Sequence, residues 1–170
     1  MSVLNRNPQN PNFLQPTKFL LSLERIPGVT FQCQQVNLPG ATLGVVTRET
    51  PFLDIYSPGT KLVYNPLTVT FTIDEDMESW RGLLNWFYSI ADPSGFEKRD
   101  HELELQTNKH LSDGTLTILT NLNNPALRIK FANIFPIDVS DLQFDVQSSA
   151  DTILTATVNF RYDYYTIERA

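Results

Sequence analysis

Leu154-Thr155-Ala156-Thr157-Val158-Asn159-Phe160-Arg161-Tyr162-Asp163-Tyr164 is the stretch on which the fold turns. Leu154, Ala156, Val158, Phe160, Tyr162 and Tyr164 fall on one side of an extended chain, and Thr155, Thr157, Asn159, Arg161 and Asp163 on the other. A period of two is the pleat of a strand with one face buried. Taken from Thr152 to Tyr165, the run covers about 14 residues, or roughly 46 Å at ~3.3 Å per residue. That exceeds an ordinary strand, so the run bends, carries a bulge or outruns its own domain.

Upstream, the same period recurs. Leu127, Ile129 and Phe131 alternate with Arg128 and Lys130, and Leu116 and Ile118 with Thr115 and Thr117. Leu67, Val69, Phe71 and Ile73 share one face of a strand whose other face is Thr68, Thr70 and Thr72, free to meet water or a partner. Phe19, Leu21 and Leu23 alternate with Lys18, Ser22 and Glu24; after Ile26-Pro27-Gly28, Val29, Phe31 and Cys33 resume, so Thr17–Val36 reads as a β-hairpin closed by Leu38-Pro39-Gly40. Residues 41–66 hold two short strand candidates, Val45-Val46 and Phe52–Tyr56. Ser57-Pro58-Gly59 and Asn65-Pro66 read as turns, and Pro51 argues against a central strand nearby, which fits an edge strand or a projecting loop.

One segment breaks the period. Asp74-Glu75-Asp76 supplies carboxylates for a helix N-terminus, and Trp80, Leu83, Leu84 and Phe87 then follow helical spacing. The reading is one flanking helix over about 75–91, stopped by Asp92-Pro93-Ser94-Gly95. The fold class is therefore mainly β and antiparallel. Its organisation is an extended N-terminal arm (1–16), rich in Asn and Pro, and one β domain (17–170) carrying a long polar loop (92–114). The arm is a frayed terminus or a segment that orders on a neighbour through Phe13 and Leu14.

A chain of 170 residues with 41% hydrophobic content can bury a core without disulfides or metal. Thirteen basic against nineteen acidic residues give a net charge of −6, which disfavours static binding to nucleic-acid phosphates. Cys33 is the single cysteine and reads as a small buried hydrophobe. No apolar run approaches the ~18 residues of a membrane span, and Met1–Pro16 lacks the apolar core of a secretory signal. No Gly-rich phosphate loop, H-E-x-x-H or G-x-S-x-G is present. Asp138, Asp141 and Asp145 lack the spacing and glycine of a calcium loop, and His101, beside Asp100 and Glu102, reads as a solvated loop residue. No catalytic residue, metal site or cofactor is expected; a ligand-binding β-barrel or enzyme would need convergent polar groups that nothing here supplies.

Asn133-Ile134-Phe135-Pro136-Ile137-Asp138-Val139-Ser140-Asp141-Leu142-Gln143-Phe144-Asp145 resembles a segment of contractile-phage tail tube proteins. So do the aromatic close Arg161-Tyr162-Asp163-Tyr164-Tyr165 and the early Thr30-Phe31-Gln32-Cys33 followed by Leu38-Pro39-Gly40. The resemblance covers most of residues 17–166. It implies an antiparallel β-sandwich or barrel-like core and a structural, non-enzymatic role in the virion tail, assembled in the host cytoplasm. It further implies hexameric rings that stack into a hollow tube inside a contractile sheath. The implied partners are further copies of the chain, sheath and baseplate proteins, and a tape measure protein and passing DNA in the lumen without specific binding; no membrane is involved. Related domains serve as baseplate tube-initiators and as type VI secretion tubes, which is the alternative reading. Candidate subunit-interface residues are Phe13, Leu14, Phe96, His101, Leu103, Tyr162 and Tyr164.

Overall fold

The computed structural model describes residues 12–91, 93, 110–147, 149 and 152–170. Its strands are β1 (Phe19–Leu23), β2 (Cys33–Val36), β3 (Ala41–Arg48), β4 (Ile55–Tyr64), β5 (Leu67–Thr72), β6 (Ser112–Leu119), β7 (Pro125–Val139), β8 (Thr155–Arg161) and β9 (Tyr164–Arg169). Its helices are α1 (Pro27–Gln32) and α2 (Glu78–Ile90). Every strand pairing is antiparallel. The main sheet runs β1-β6-β7-β8-β5-β2, with β9 also on β7, and does not close; β3 and β4 form a separate pair.

β7 is the hub. Its first half, Leu127–Ala132, lies between β6 and β9, while Phe135–Val139 pairs with β8. Between the halves, Asn133 adopts φ 56°, a left-handed conformation that asparagine tolerates better than most residues. The inward set consequently slips from Ile129 and Phe131 to Ile134. One long strand thereby feeds two layers, β1-β6-β7-β9 and β7-β8-β5-β2. Leu21, Leu116, Phe131, Val69, Val158 and Phe160 are buried among their inward residues.

The Leu154–Tyr164 run bends, and does so opposite Asn133. Ala156, Val158, Phe160 and Tyr162 are all buried, as the alternation requires. The chain then turns at Asp163, whose amide donates to the Ala132 carbonyl (3.1 Å) and whose carboxylate accepts from Asn133 Nδ2 (2.5 Å). After this corner the parity changes: Tyr164 points out, and Tyr165 packs against the core.

Four local expectations are corrected. Thr17–Val36 is not a hairpin: β1 pairs with β6, β2 pairs with β5, and a second helix, α1, separates them. Pro27 is at the start of α1, where its missing N–H costs nothing and its fixed φ suits a helix. Ser57-Pro58-Gly59, expected as a turn, lies within β4. The α2 stripe is also rotated. Its fully buried residues are Ser79, Leu83, Trp86 and Ser89, whereas Trp80 is only partly buried. The two serines hid that face from a hydrophobic reading. Ser79 Oγ donates to Gln32 Oε1 (2.7 Å), and Ser89 Oγ donates to the Trp86 carbonyl (2.7 Å) while accepting from Arg25 (2.9 Å). Asp74–Asp76 precede the helix without capping it; Met77 is the N-cap, at φ 51°, with no side-chain hydrogen bond.

Candidate assembly interface

Pro39-Gly40 and Asn65-Pro66 mark where the β3–β4 hairpin leaves the body. The Asn65 amide donates to the Gly40 carbonyl (3.0 Å) and closes its base. Beyond that base, β3 and β4 pair only with each other among the described residues. Both strands are exposed along almost their entire length. The register sets Leu43 opposite Leu62, Val45 opposite Pro58 and Thr47 opposite Tyr56. Opposed residues share a face, so Leu43, Val45, Tyr56, Pro58 and Leu62 form one apolar face that runs down to Tyr64 at the base. The reverse face carries Val46, Ile55 and Val63 with Arg48 and Lys61.

The hairpin is irregular in the middle. Gly59, Thr60 and Lys61 lie opposite Gly44 alone, where the register shifts. A side chain at Gly59 would place its Cβ 2.6 Å from the Gly44 carbonyl oxygen, so backbone meets backbone here and only glycine fits. Pro58 sits beside this irregularity, one of the places where a strand accepts the loss of a backbone donor.

An aromatic cluster anchors the base. Tyr64 contacts Tyr162 and Tyr165 with ring centroids 5.8 and 5.2 Å apart, and Phe131 meets the same two rings at 5.0 and 5.7 Å. Burial, reinforced by the neighbouring Tyr165 and Tyr64 phenols, pushes the Tyr162 hydroxyl from 10.0 up to about 12. It is therefore a protonated donor throughout the physiological range.

The sequence-derived interface residues fall in different places. Phe13 (92% exposed) and Leu14 lie beside the β6–β7 turn, where they line a crevice of about 400 Å³ with Leu119 and Leu122. Tyr164 is exposed on β9. Tyr162, expected at a subunit surface, is only 8% exposed, because the strand keeps its inward parity up to the Asp163 corner. Phe96, His101 and Leu103 lie outside the described residues, as does most of the 92–114 loop. Of the hairpin itself, only two short strand candidates in an edge strand or projecting loop were legible in the sequence, not its length or pairing. Its signal was the apolar and β-branched content on both arms, Leu43–Thr47 and Leu62–Tyr64, which the Pro58-Gly59 pair disguised.

A second exposed apolar segment follows β7. Phe144 and Val146 are exposed, while Leu142 packs on the core. Asp138 accepts a hydrogen bond from Asn159 (3.3 Å) and Asp145 accepts one from the Gln147 amide (2.9 Å), so two of the three aspartates serve local structure. Among the described residues no His, Cys, Asp and Glu group is arranged to hold a metal ion. Cys33 is half-buried against the core, and burial raises its thiol from 9.0 to about 11.

Residues 15–168 match the family described as phage tail tube protein. The chain belongs to that family. It is 25% identical over 165 residues to the tail tube terminator protein of Enterobacteria phage T4, covering 93% of this chain and 90% of that protein. The fold matches the anti-feeding prophage tube-terminating cap with a TM-score of 0.68, at 14% identity and complete coverage of both chains. It matches a chain of the PVC sheath–tube complex of an extracellular contractile injection system with a TM-score of 0.59, at 15% identity, covering 100% of this chain and 99% of that one. The family consists of structural tail proteins, not enzymes. No helix among the described residues is long and apolar enough to cross a membrane.

Proposed function

We propose that this tail tube family member assembles with further copies of itself into a hexameric ring that terminates the tube of a contractile tail. The observation that carries assembly is the β3–β4 hairpin. A two-stranded ribbon is marginal alone in water, yet this one projects with apolar residues on both faces. Exposed apolar surface of this kind marks a protein contact. Neighbouring subunits of a ring and of the adjoining ring would cover it, and among the described residues the β1 and β2 edges have no further strand beside them and could pair between copies. The terminal position is supported by the similarity to the T4 tail tube terminator protein over nearly the whole of both chains. A hollow ring at that position would contact tube and sheath and let DNA pass, which a net charge of −6 favours by withholding phosphate binding. A second reading, a subunit of the stacked tube itself, draws on the fold shared with the sheath–tube complex.

Replacing Leu43 and Leu62 together by Asp tests the hairpin. The variant is expected to keep the parent's melting temperature, since neither residue is in the core, and to remain monomeric where the parent forms rings. Unchanged ring formation by the variant, seen by electron microscopy, would remove the hairpin from the interface.

A further inference from the structure

The hairpin's direction is set from one place on the body. Among the described residues, the body's hydrogen bonds to Pro39, Tyr64 and Asn65 all come from the β8–β9 corner. Arg161 Nη1 donates to the Tyr64 carbonyl (3.1 Å), Tyr162 Oη to the Asn65 carbonyl (2.9 Å) and Tyr165 Oη to the Pro39 carbonyl (3.3 Å). Tyr64 ends β4, Asn65 follows it and Pro39 precedes β3, so both legs are held. Asn37 bonds Pro66 (3.4 Å) and Thr68, on the body side of the base, and leaves the legs themselves to the corner. The corner is in turn fixed to β7 through Asp163, Ala132 and Asn133.

We infer that Arg161, Tyr162 and Tyr165 are positioning residues that hold the β3–β4 hairpin at a fixed angle to the body before any partner arrives. Bonds to both legs restrain the hairpin's tilt, which the two chain crossings alone would leave as a hinge. The acceptors are backbone carbonyls, so the clamp acts whatever side chains the hairpin carries. The phenols are anchored by ring packing against Phe131, which makes their hydroxyls stiff donors. Pre-setting the angle lowers the ordering cost of docking the hairpin on a second copy. That consequence for assembly rests on the hairpin being an assembly surface, as proposed above; the clamp itself does not.

The test uses the full chain kept monomeric by Leu43→Asp with Leu62→Asp, with and without Tyr162→Phe plus Tyr165→Phe. Both rings are retained, so only the two hydroxyls are lost. Amide exchange at Asn65 and along β3 is expected to rise roughly five- to thirtyfold, the equivalent of one or two lost hydrogen bonds. Exchange in β5 and β8 should stay unchanged. A nitroxide pair at Asp54→Cys and Arg128→Cys, in a Cys33→Ser background, should give a broader distance distribution in the phenylalanine variant. Unchanged hairpin exchange and an unchanged distance distribution would overturn the inference. So would an equal rise across hairpin and core, because that is the signature of general destabilisation. A loosened hairpin in the monomer, with ring formation by the phenylalanine pair unaffected in the otherwise native chain, would uphold the clamp and count against the hairpin interface.

Discussion

Trp86→Ala tests the packing that holds the two sheet layers and α2 together. Trp86 is 1% exposed, and its ring centroid lies 6.1 Å from that of Phe160. Its indole N–H donates to the His110 carbonyl (2.9 Å), and the Arg25 guanidinium sits 5.2 Å from its ring centroid. Truncating a buried tryptophan costs about 3–5 kcal/mol in lost transfer energy and cavity. Leaving the His110 carbonyl without that donor, and Arg25 without its ring, adds roughly 1 kcal/mol. The sum, about 4–6 kcal/mol, corresponds to a melting temperature lower by roughly 10–20 °C for a chain of this size. Circular dichroism melts of the hairpin-Asp monomer background would measure it without an assembly contribution. Trp80→Ala, at a partly buried site on the neighbouring face of the helix, should cost distinctly less. A shift of only a few degrees for Trp86→Ala, or a larger one for Trp80→Ala, would refute the assigned inward face. If Trp86→Ala does not fold, Trp86→Phe gives the graded version, with a smaller expected cost made of up to about 1 kcal/mol for the unpaired carbonyl and the part of the cavity that the smaller ring leaves.

Gly59→Ala should open the middle of the hairpin, because its Cβ would meet the Gly44 carbonyl; faster amide exchange confined to β3 and β4, with an unchanged global melt, is the expected pattern. The alkaline limb of stability should depend on Tyr162. Its hydroxyl is raised in the fold from 10.0 to about 12, so its contribution is complete below pH 10 and is lost as pH rises through about 12. Tyr162→Phe should flatten that loss in urea titrations across the same window, and an identical pH dependence in both proteins would disprove it. Cys33 should react slowly with a thiol reagent at pH 8, since burial places its thiol near 11, and should become fast on unfolding; rapid labelling of the native chain would contradict the burial.

How much of this was legible depends on which residues carried the pattern. The strands Leu67–Thr72 and Thr155–Arg161 were readable because strict alternation of apolar with Thr or Asn side chains has one physical meaning. The second half of the closing run was not, because the Asp163 corner depends on hydrogen bonds to Ala132 and Asn133, some thirty residues distant. α1 was invisible: six residues give less than two turns of periodicity, and Val29, Phe31 and Cys33 fit a strand equally well. The inward face of α2 was misjudged because Ser79 and Ser89 are buried through hydrogen bonds rather than hydrophobicity. Among the site residues, Phe13, Leu14 and Tyr164 are exposed as a contact requires, while Tyr162 does its work from the core. The length and pairing of the hairpin's strands escaped because Pro58-Gly59 ordinarily signals a turn, and only the close approach to Gly44 explains that pair inside a strand.

The central claim is that this tail tube family member builds a ring, and that the ring ends a tube. Electron microscopy of the purified chain, alone and mixed with preformed tail tubes of its own phage, tests both parts. Hexameric rings that do not polymerise alone, and that appear once at a tube end in the mixture, are the predicted result. A chain that stays monomeric at high concentration and leaves tube ends bare would contradict the account.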